Sequence, residues 1–397
     1  MAGPAIEGGQ RARQDPVVIV GSGLAGYNTA REFRKRDQAT ALVIISRDGG
    51  DFYSKPMLSN ALAGNKSAAD LVLKSAATMA SDLAATVRPH TEVIAIDTES
   101  RTLSLAHGES LVYRDLVLAL GADPIRLPMQ GDAAQDVLSV NDLHDYARFA
   151  QALEGARRVA ILGAGLIGCE FANDLLARGI TPTVIDIAER PLARLLPQLA
   201  GERMQLQLQG AGVVFYFGTG VARVDRLGSA YRLQLHSGVA LDADLVLSAI
   251  GLRPRTALAQ AAGLAVDRGV QVDRMLAASR PHVYAVGDNA LVQGHNLPYV
   301  LALMQQARAL GATLAGQPTP VQYPAMPVVV KTPACPTVVC PPPLGAAGDW
   351  LVTLDDAQCT AQFLAGDGSL LGFALQGKAT AQRQTLAARV APLLPVA

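Results

Sequence analysis

Apolar residues run unbroken through Val17-Val18-Ile19-Val20 and again through Val159-Ala160-Ile161-Leu162, and each run stops at a glycine-rich turn. An uninterrupted apolar run bounded by a turn suits a strand buried on both faces, as in a parallel sheet. Helices are predicted after each turn, from Ala25 to about Arg36 and from Ile167 to about Arg178, the second closed by Gly179 at a C-cap. The likeness continues downstream. Leu103-Ser104-Leu105-Ala106-His107-Gly108 leads to Leu116-Val117-Leu118-Ala119-Leu120-Gly121, just as Leu233-Gln234-Leu235-His236-Ser237-Gly238 leads to Leu245-Val246-Leu247-Ser248-Ala249-Ile250-Gly251. The same unit of strand, glycine turn, helix, short strands and final apolar strand therefore occurs twice in one chain.

The fold class this predicts is α/β, with two Rossmann-like dinucleotide-binding domains. The second unit interrupts the first, so the first domain is discontinuous, at 16–122 and 242–321, and the second occupies 123–241. Pro318, Pro320, Pro324 and Pro327 mark a further boundary. The strand-like runs Val328-Val329-Val330 and Trp350-Leu351-Val352-Thr353-Leu354 then predict a small α+β domain over 322–397. Residues 1–15 hold Gly, Arg, Gln and Pro without an apolar stretch, and read as a disordered tail, not a signal peptide or anchor.

Composition narrows the partners. Half of the residues are hydrophobic and 17% are charged, which is the balance of a densely packed globular chain. Lys+Arg and Asp+Glu stand at 34 each, so no bulk charge points to nucleic acid or a membrane surface. No later stretch is long and apolar enough to span a bilayer. Cys169, Cys335, Cys340 and Cys359 lie on dissimilar segments, unlike a secreted disulfide scaffold, so the expected compartment is the cytoplasm.

The candidate chemistry sits at the turns. Gly21, Gly23 and Gly26, and again Gly163, Gly165 and Gly168, follow the G-x-G-x-x-G spacing between a buried strand and a helix. The first glycine allows the tight turn, the second lets backbone approach a pyrophosphate, and the third allows close helix–strand packing. The helix N-terminus adds N–H groups and a positive dipole end toward the phosphates. In the second unit Thr183-Val184-Ile185 ends in Asp186, roughly 20 positions past the motif, where a carboxylate accepts from a ribose 2′-hydroxyl and repels a 2′-phosphate. NADH is therefore favoured, with Arg190 as the one nearby group suited to NADPH. The first unit departs from this pattern, because Val43-Ile44-Ile45 ends in Ser46-Arg47-Asp48, leaving Ser46 or Asp48 to meet the ribose. Asp288, in a strand–Gly–Asp–helix pattern after Val283-Tyr284-Ala285-Val286-Gly287, reads either as a turn or N-cap aspartate or as a carboxylate facing a bound cofactor.

Four segments carry a family resemblance: Gly23-Leu24-Ala25-Gly26-Tyr27-Asn28, Tyr53-Ser54-Lys55-Pro56-Met57-Leu58-Ser59, Gly165-Leu166-Ile167-Gly168-Cys169-Glu170-Phe171-Ala172-Asn173-Asp174, and Val330-Lys331-Thr332-Pro333-Ala334-Cys335-Pro336. On these residues the chain from 16 to 397 resembles the FAD-dependent pyridine nucleotide oxidoreductases, in the branch that reduces rubredoxins and ferredoxins. The resemblance implies FAD in the first unit, NADH in the second, and rubredoxin, a small acidic iron protein, as electron acceptor, feeding for example alkane hydroxylation or oxygen scavenging. It implies that Asp288 meets the ribityl chain, and that Lys55 and Glu170 form a catalytic ion pair beside the flavin, with Lys331 a further cation of the same kind. Cofactor contacts carry over to Leu24, Ala25, Pro56, Val93, Gly121, Ile167, Gly251, Gly287 and Val300. Disulfide-reducing relatives place a C-x4-C pair against the flavin, but no cysteine precedes Cys169 here. Electrons must then pass to something that comes to the flavin edge. Cys335 and Cys340 have that spacing in a proline-rich stretch, and read as structural or free thiols. Four cysteine ligands for iron are not assembled, so no metal site is expected. Two other functions remain open: an NADH:ferredoxin reductase serving an oxygenase, and an NADH-sensing flavoprotein acting through partner binding. Arg31, Arg34, Lys35 and Arg36 read as a solvated helix face, or as a rim that steers an acidic partner.

Overall fold

Both apolar runs become central strands. The computed structural model describes residues 15–394, so the tail expected over 1–15 lies outside the described residues except for Asp15. Val17–Val20 is buried at every position and pairs in parallel with Leu42–Ile45 on one side and Asp115–Leu118 on the other. Thr86–Arg88 and Val283–Ala285 complete a five-stranded parallel sheet. Arg158–Leu162 is likewise the inner strand of a second parallel sheet, between Thr181–Ile185 and Leu245–Ser248, with Val214–Tyr216 at one edge. Each fully buried branched side chain in such a strand stabilises the fold by roughly 1.5–3 kcal/mol.

The sequence repeat is a repeat of structure. Val93–Asp97, Thr102–Leu105 and Ser110–Val112 form a three-stranded antiparallel sheet in the first unit. Val221–Leu227, Ala230–Leu235 and Ala240–Ala243 form its counterpart in the second. The helices run Leu24–Arg34 and Leu166–Leu176, each starting after a glycine with an extended backbone. A Cβ at Gly26 would fall on the carbonyl oxygen of Gly21, and one at Gly168 on that of Gly163. Only glycine lets each helix close onto its own turn.

One boundary needs correction. The first domain was expected to resume at 242, yet Leu245–Ser248 pairs residue for residue with Val159–Leu162. Its hydrogen bonds place that strand in the second sheet, which therefore takes in the chain through Ser248. The passage between units is instead a short antiparallel pair, Ala122–Pro124 against Leu252–Pro254. The helix expected directly after Asp288 is also displaced. Gly287–Asn289 makes a single 3-10 turn, Ala290–Val292 is a strand, and the helix runs Val300–Leu314. The C-terminal part is a five-stranded antiparallel sheet in the order Val328–Val330, Thr337–Cys340, Leu370–Gly377, Gln358–Leu364, Asp349–Leu354. Gln376, fully buried, donates from Nε2 to the Ala200 carbonyl at 2.9 Å and so ties this sheet to the second unit.

Candidate functional site: one cavity between three units

The principal cavity encloses about 1160 Å³, above the roughly 300–1,000 Å³ of ordinary ligand pockets. The first glycine turn, the Lys55–Asn60 3-10 turn, the start of the second glycine-turn helix and Val328–Lys331 of the C-terminal part all wall it. Of the residues singled out in the sequence, Gly21, Gly23, Leu24, Ala25, Ser46, Asp48, Lys55, Pro56, Val93, Gly121, Ile167, Glu170, Asp288, Val300 and Lys331 line this cavity. Gly26, Gly163, Gly165, Gly168, Asp186, Gly251 and Gly287 do not.

At the end of the second strand, Ser46 bonds Ser22 Oγ at 2.6 Å and donates to Asp48 Oδ1 at 2.5 Å. Asp48 Oδ1 also accepts from the Gly50 amide at 2.9 Å. Ser46 and Asp48 thus form one hydrogen-bonded polar unit on the cavity wall. Burial, helped by Asp48 and Asp51, pushes the neighbouring Tyr27 phenol up to about 12, so it stays a donor, to the Gly50 carbonyl. Asp186 accepts from Ala164 N at 2.5 Å and Ala188 N at 2.7 Å, clamping the second glycine turn while staying partly exposed. Arg190 instead runs along Gly201 and lines a separate groove with Trp350.

Glu170 is 5% exposed and heavily engaged. It accepts from Ser59 Oγ at 2.5 Å and from the Lys331 amide at 3.0 Å, and it forms an ion pair with Lys331 Nζ. The expected Lys55–Glu170 pair is therefore corrected: Lys331 is the partner. The C-terminal segment delivers both its amide and its ammonium to the carboxylate. Lys55 sits instead among Asp288, Asp142, Asp123 and Arg255. Burial lowers its pKa below the usual lysine value and Arg255 adds to this, while the three carboxylates oppose it. Arg255 also binds Asp123 Oδ1 at 2.8 Å through Nε, and that hydrogen bond holds Asp123 below the usual carboxylate range.

Two positioning amides carried no signal in the sequence. Gln306, 1% exposed, accepts from the Gly287 amide at 2.6 Å and donates to Tyr323 Oη at 2.7 Å, fixing the turn that presents Asp288. Asn141 donates to the Ala122 carbonyl at 3.0 Å, and its buried Oδ1, in a residue on the cavity wall, has no partner. An FAD fits what is present. Nothing lies within 4 Å of a Cβ built at Gly23, so that turn's backbone faces open space, and the unpartnered Asn141 oxygen awaits a donor. The basic residues of the first helix have structural work. Arg34 donates to the carbonyls of Asp37, Thr40, Leu83 and Ala84, Arg31 lies 4.2 Å over Phe52, and Lys35 and Arg36 pair with Glu32. All four cysteines are buried and free, and none lines the cavity. Among the described residues no cluster of His, Cys, Asp and Glu is arranged to hold a metal, and no helix is long and apolar enough to cross a membrane.

Two glycine-turn units whose helices both begin on the wall of one cavity define a class, the two-dinucleotide oxidoreductases. The chain belongs to the pyridine nucleotide-disulphide oxidoreductase family, whose model matches residues 15–311. A second model, described as a rubredoxin binding C-terminal domain, matches residues 320–390. The chain is 47% identical over 382 residues to a rubredoxin-NAD(+) reductase of Alcanivorax borkumensis, covering 96% of this chain and 100% of the relative. It is 45% identical to one of Acinetobacter baylyi, covering 96% and 99%. A ferredoxin reductase of Rhodopseudomonas palustris superposes with a TM-score of 0.86 at 26% identity, covering 95% of each chain.

Proposed function

We infer that this chain is an FAD-dependent NADH:rubredoxin oxidoreductase. The observation that carries the reading is the single cavity walled by all three parts of the chain, with Gly23 at one glycine turn, Ile167 beside the other, and Lys331 and Arg383 from the part that matches the rubredoxin-binding model. In this reading residues 16–122 and the chain from Leu252 to about 321 hold FAD, the insert between them holds NADH, and 322–397 receives the acceptor. FAD, when bound, supplies the chemistry that converts one hydride into two single electrons.

The protein's part is to bind, orient and set charge. The first glycine turn and the helix N-terminus at Leu24 receive the FAD pyrophosphate, and the Ser22–Ser46–Asp48 unit receives its ribose. Asp288, presented by Gln306, receives the ribityl chain, and Asp186 receives the NADH ribose. Lys55 contributes a cation that favours added negative charge nearby and so raises the reduction potential. Glu170, held by Ser59 and Lys331, keeps a fixed, charge-balanced group on the wall that the NADH-binding unit contributes. We place the enzyme in the cytoplasm, where NADH is its donor and four thiols stay reduced.

The test is anaerobic stopped-flow reduction by NADH, followed by mixing with rubredoxin and, separately, with a [2Fe–2S] ferredoxin. Rapid flavin bleaching by NADH and faster reoxidation by rubredoxin are expected. Much faster transfer to the ferredoxin overturns the choice of acceptor.

A further inference from the structure

The helix Leu166–Leu176 carries Glu170, Asn173 and Asp174 at i, i+3 and i+4, and therefore on one face. All three reach outside their own unit. Asp174, 3% exposed, accepts from the Leu62 amide at 2.8 Å and the Ala63 amide at 2.9 Å. Asn173 Oδ1 accepts from the Ala334 amide at 3.0 Å. With the Glu170 bonds to Ser59 and Lys331, each outlying segment is held at two points: the Lys55–Asn60 turn and its continuation at Ser59 and Leu62–Ala63, and the C-terminal turn at Lys331 and Ala334. One anchor leaves a segment free to pivot, whereas two fix its orientation. Burial pushes the Asp174 carboxyl up, and the two amides oppose that shift. A buried carboxylate spent on backbone amides specifies geometry in a way an apolar contact at the same place would not.

The two segments serve opposite ends of the reaction. The first carries Lys55 into the cavity. The second joins strand Val328–Val330, on the cavity wall, to strand Thr337–Cys340, inside the region that matches the rubredoxin-binding model. Resting on the reading as an NADH:rubredoxin reductase, we propose that Asp174 and Asn173 are positioning residues that divide the two half-reactions between them. Asp174 sets the Lys55 segment for reduction by NADH, and Asn173 sets the C-terminal turn for delivery to the acceptor protein.

The test uses the full-length, FAD-loaded protein with Asp174→Asn, Asn173→Ala and Asn173→Asp. Asp174→Asn turns one acceptor into a donor facing an N–H. It should slow flavin reduction by NADH about tenfold, as small misplacements near a reacting centre do, and lower the flavin midpoint potential, with KM for rubredoxin within about twofold of wild type. Asn173→Ala should raise KM for rubredoxin roughly fivefold, leaving the NADH reduction rate and the potential unchanged, and Asn173→Asp, which keeps an acceptor for Ala334, should restore it. A merely structural role would lower the melting temperature and move both half-reactions together, or neither, and either pattern overturns the proposal. Should Asp174→Asn fail to hold FAD, the Asn173 pair decides: equal effects on both half-reactions, or no rescue by Asn173→Asp, overturn it. Wild-type enzyme that is reduced by NADH but ignores rubredoxin overturns the functional reading instead. The same KM comparison is then made with the ferredoxin that wild type accepts.

Discussion

Lys55 holds a charge that its surroundings oppose, because burial and Arg255 favour the neutral amine more than Asp288, Asp142 and Asp123 favour the ammonium. Its folded pKa lies below its unfolded one, so between the two values the unfolded chain binds the extra proton and stability rises with pH. Removing the lysine should therefore stabilise the apoprotein at neutral pH, and wild type should regain ground as pH climbs through the lowered pKa toward the usual lysine value. Melting curves of apo wild type and apo Lys55→Met across that range check the sign; a constant gap refutes it. In the FAD-loaded protein the same substitution should lower the flavin potential and slow reduction by NADH, and potentiometry that finds no shift removes Lys55 from its proposed role. At this scale the sequence picks out residues at a fixed offset from a strand end, Ser46, Asp48 and Asp186, of which the first two line the cavity and the third bonds the second glycine turn. It was silent on Gln306 and Asn141, because an amide that bonds a backbone group 19 residues away leaves no local pattern. The Lys55–Glu170 pairing failed for a related reason. Proximity to a flavin does not say which of two lysines reaches the carboxylate, and Lys331 arrives with its backbone already bonded there.

Helix Leu24–Arg34 and helix Val300–Leu314 carry their first residues to the cavity, at Leu24 and Val300, and pack on one another near their far ends. Gly311 makes that approach possible, since a Cβ there would stand 2.6 Å from Glu32 Cβ. Gly311→Ala should push the helices apart at a cost of about 1–3 kcal/mol, typical of overpacking, and weaken FAD retention because both N-termini move. Thermal melting and FAD release on dilution would register this, and an unchanged melting point would mean that the helices slide without strain. Elements with strong periodicity were legible, including both glycine-turn helices. Leu245–Ser248 was legible too, since the repeat aligned it with the strand ending the first unit, and only the placement of the boundary at 242 overrode that. The inner strands of the C-terminal sheet were missed. Gln358–Leu364 does alternate in burial, but its inward positions are Cys359, Ala361 and Phe363, too mixed to advertise a strand.

For the molecule as a whole, the large cavity between three units makes the cofactor part of the structure. A ligand bound only by the folded state stabilises it by about 2.7 kcal/mol at a hundred times its Kd. Deflavination should thus lower the melting temperature, and titrated FAD should restore it in a concentration-dependent way; a melting point indifferent to FAD would mean that the folded chain does not hold it. The overall plan could be read from the chain because one unit is written twice. How the third part docks on the second could not, since the shared core joins residues far apart in the chain, Val330, Val339 and Ala361 with Phe171 and Met204, and polar ties such as Gln376 with Ala200 leave no local pattern. The short ribbon of Ala122–Pro124 against Leu252–Pro254 has a consequence for how the chain assembles. Val283–Ala285 must find Asp115–Leu118 across the entire insert, a long loop to close and a slow kind of contact to make. If the insert folds first, its two ends are already neighbours, and the nascent host sheet meets a short bridge in place of a long coil. Synthesis order then works in the protein's favour: the interrupting unit is finished before the last strand of its host emerges.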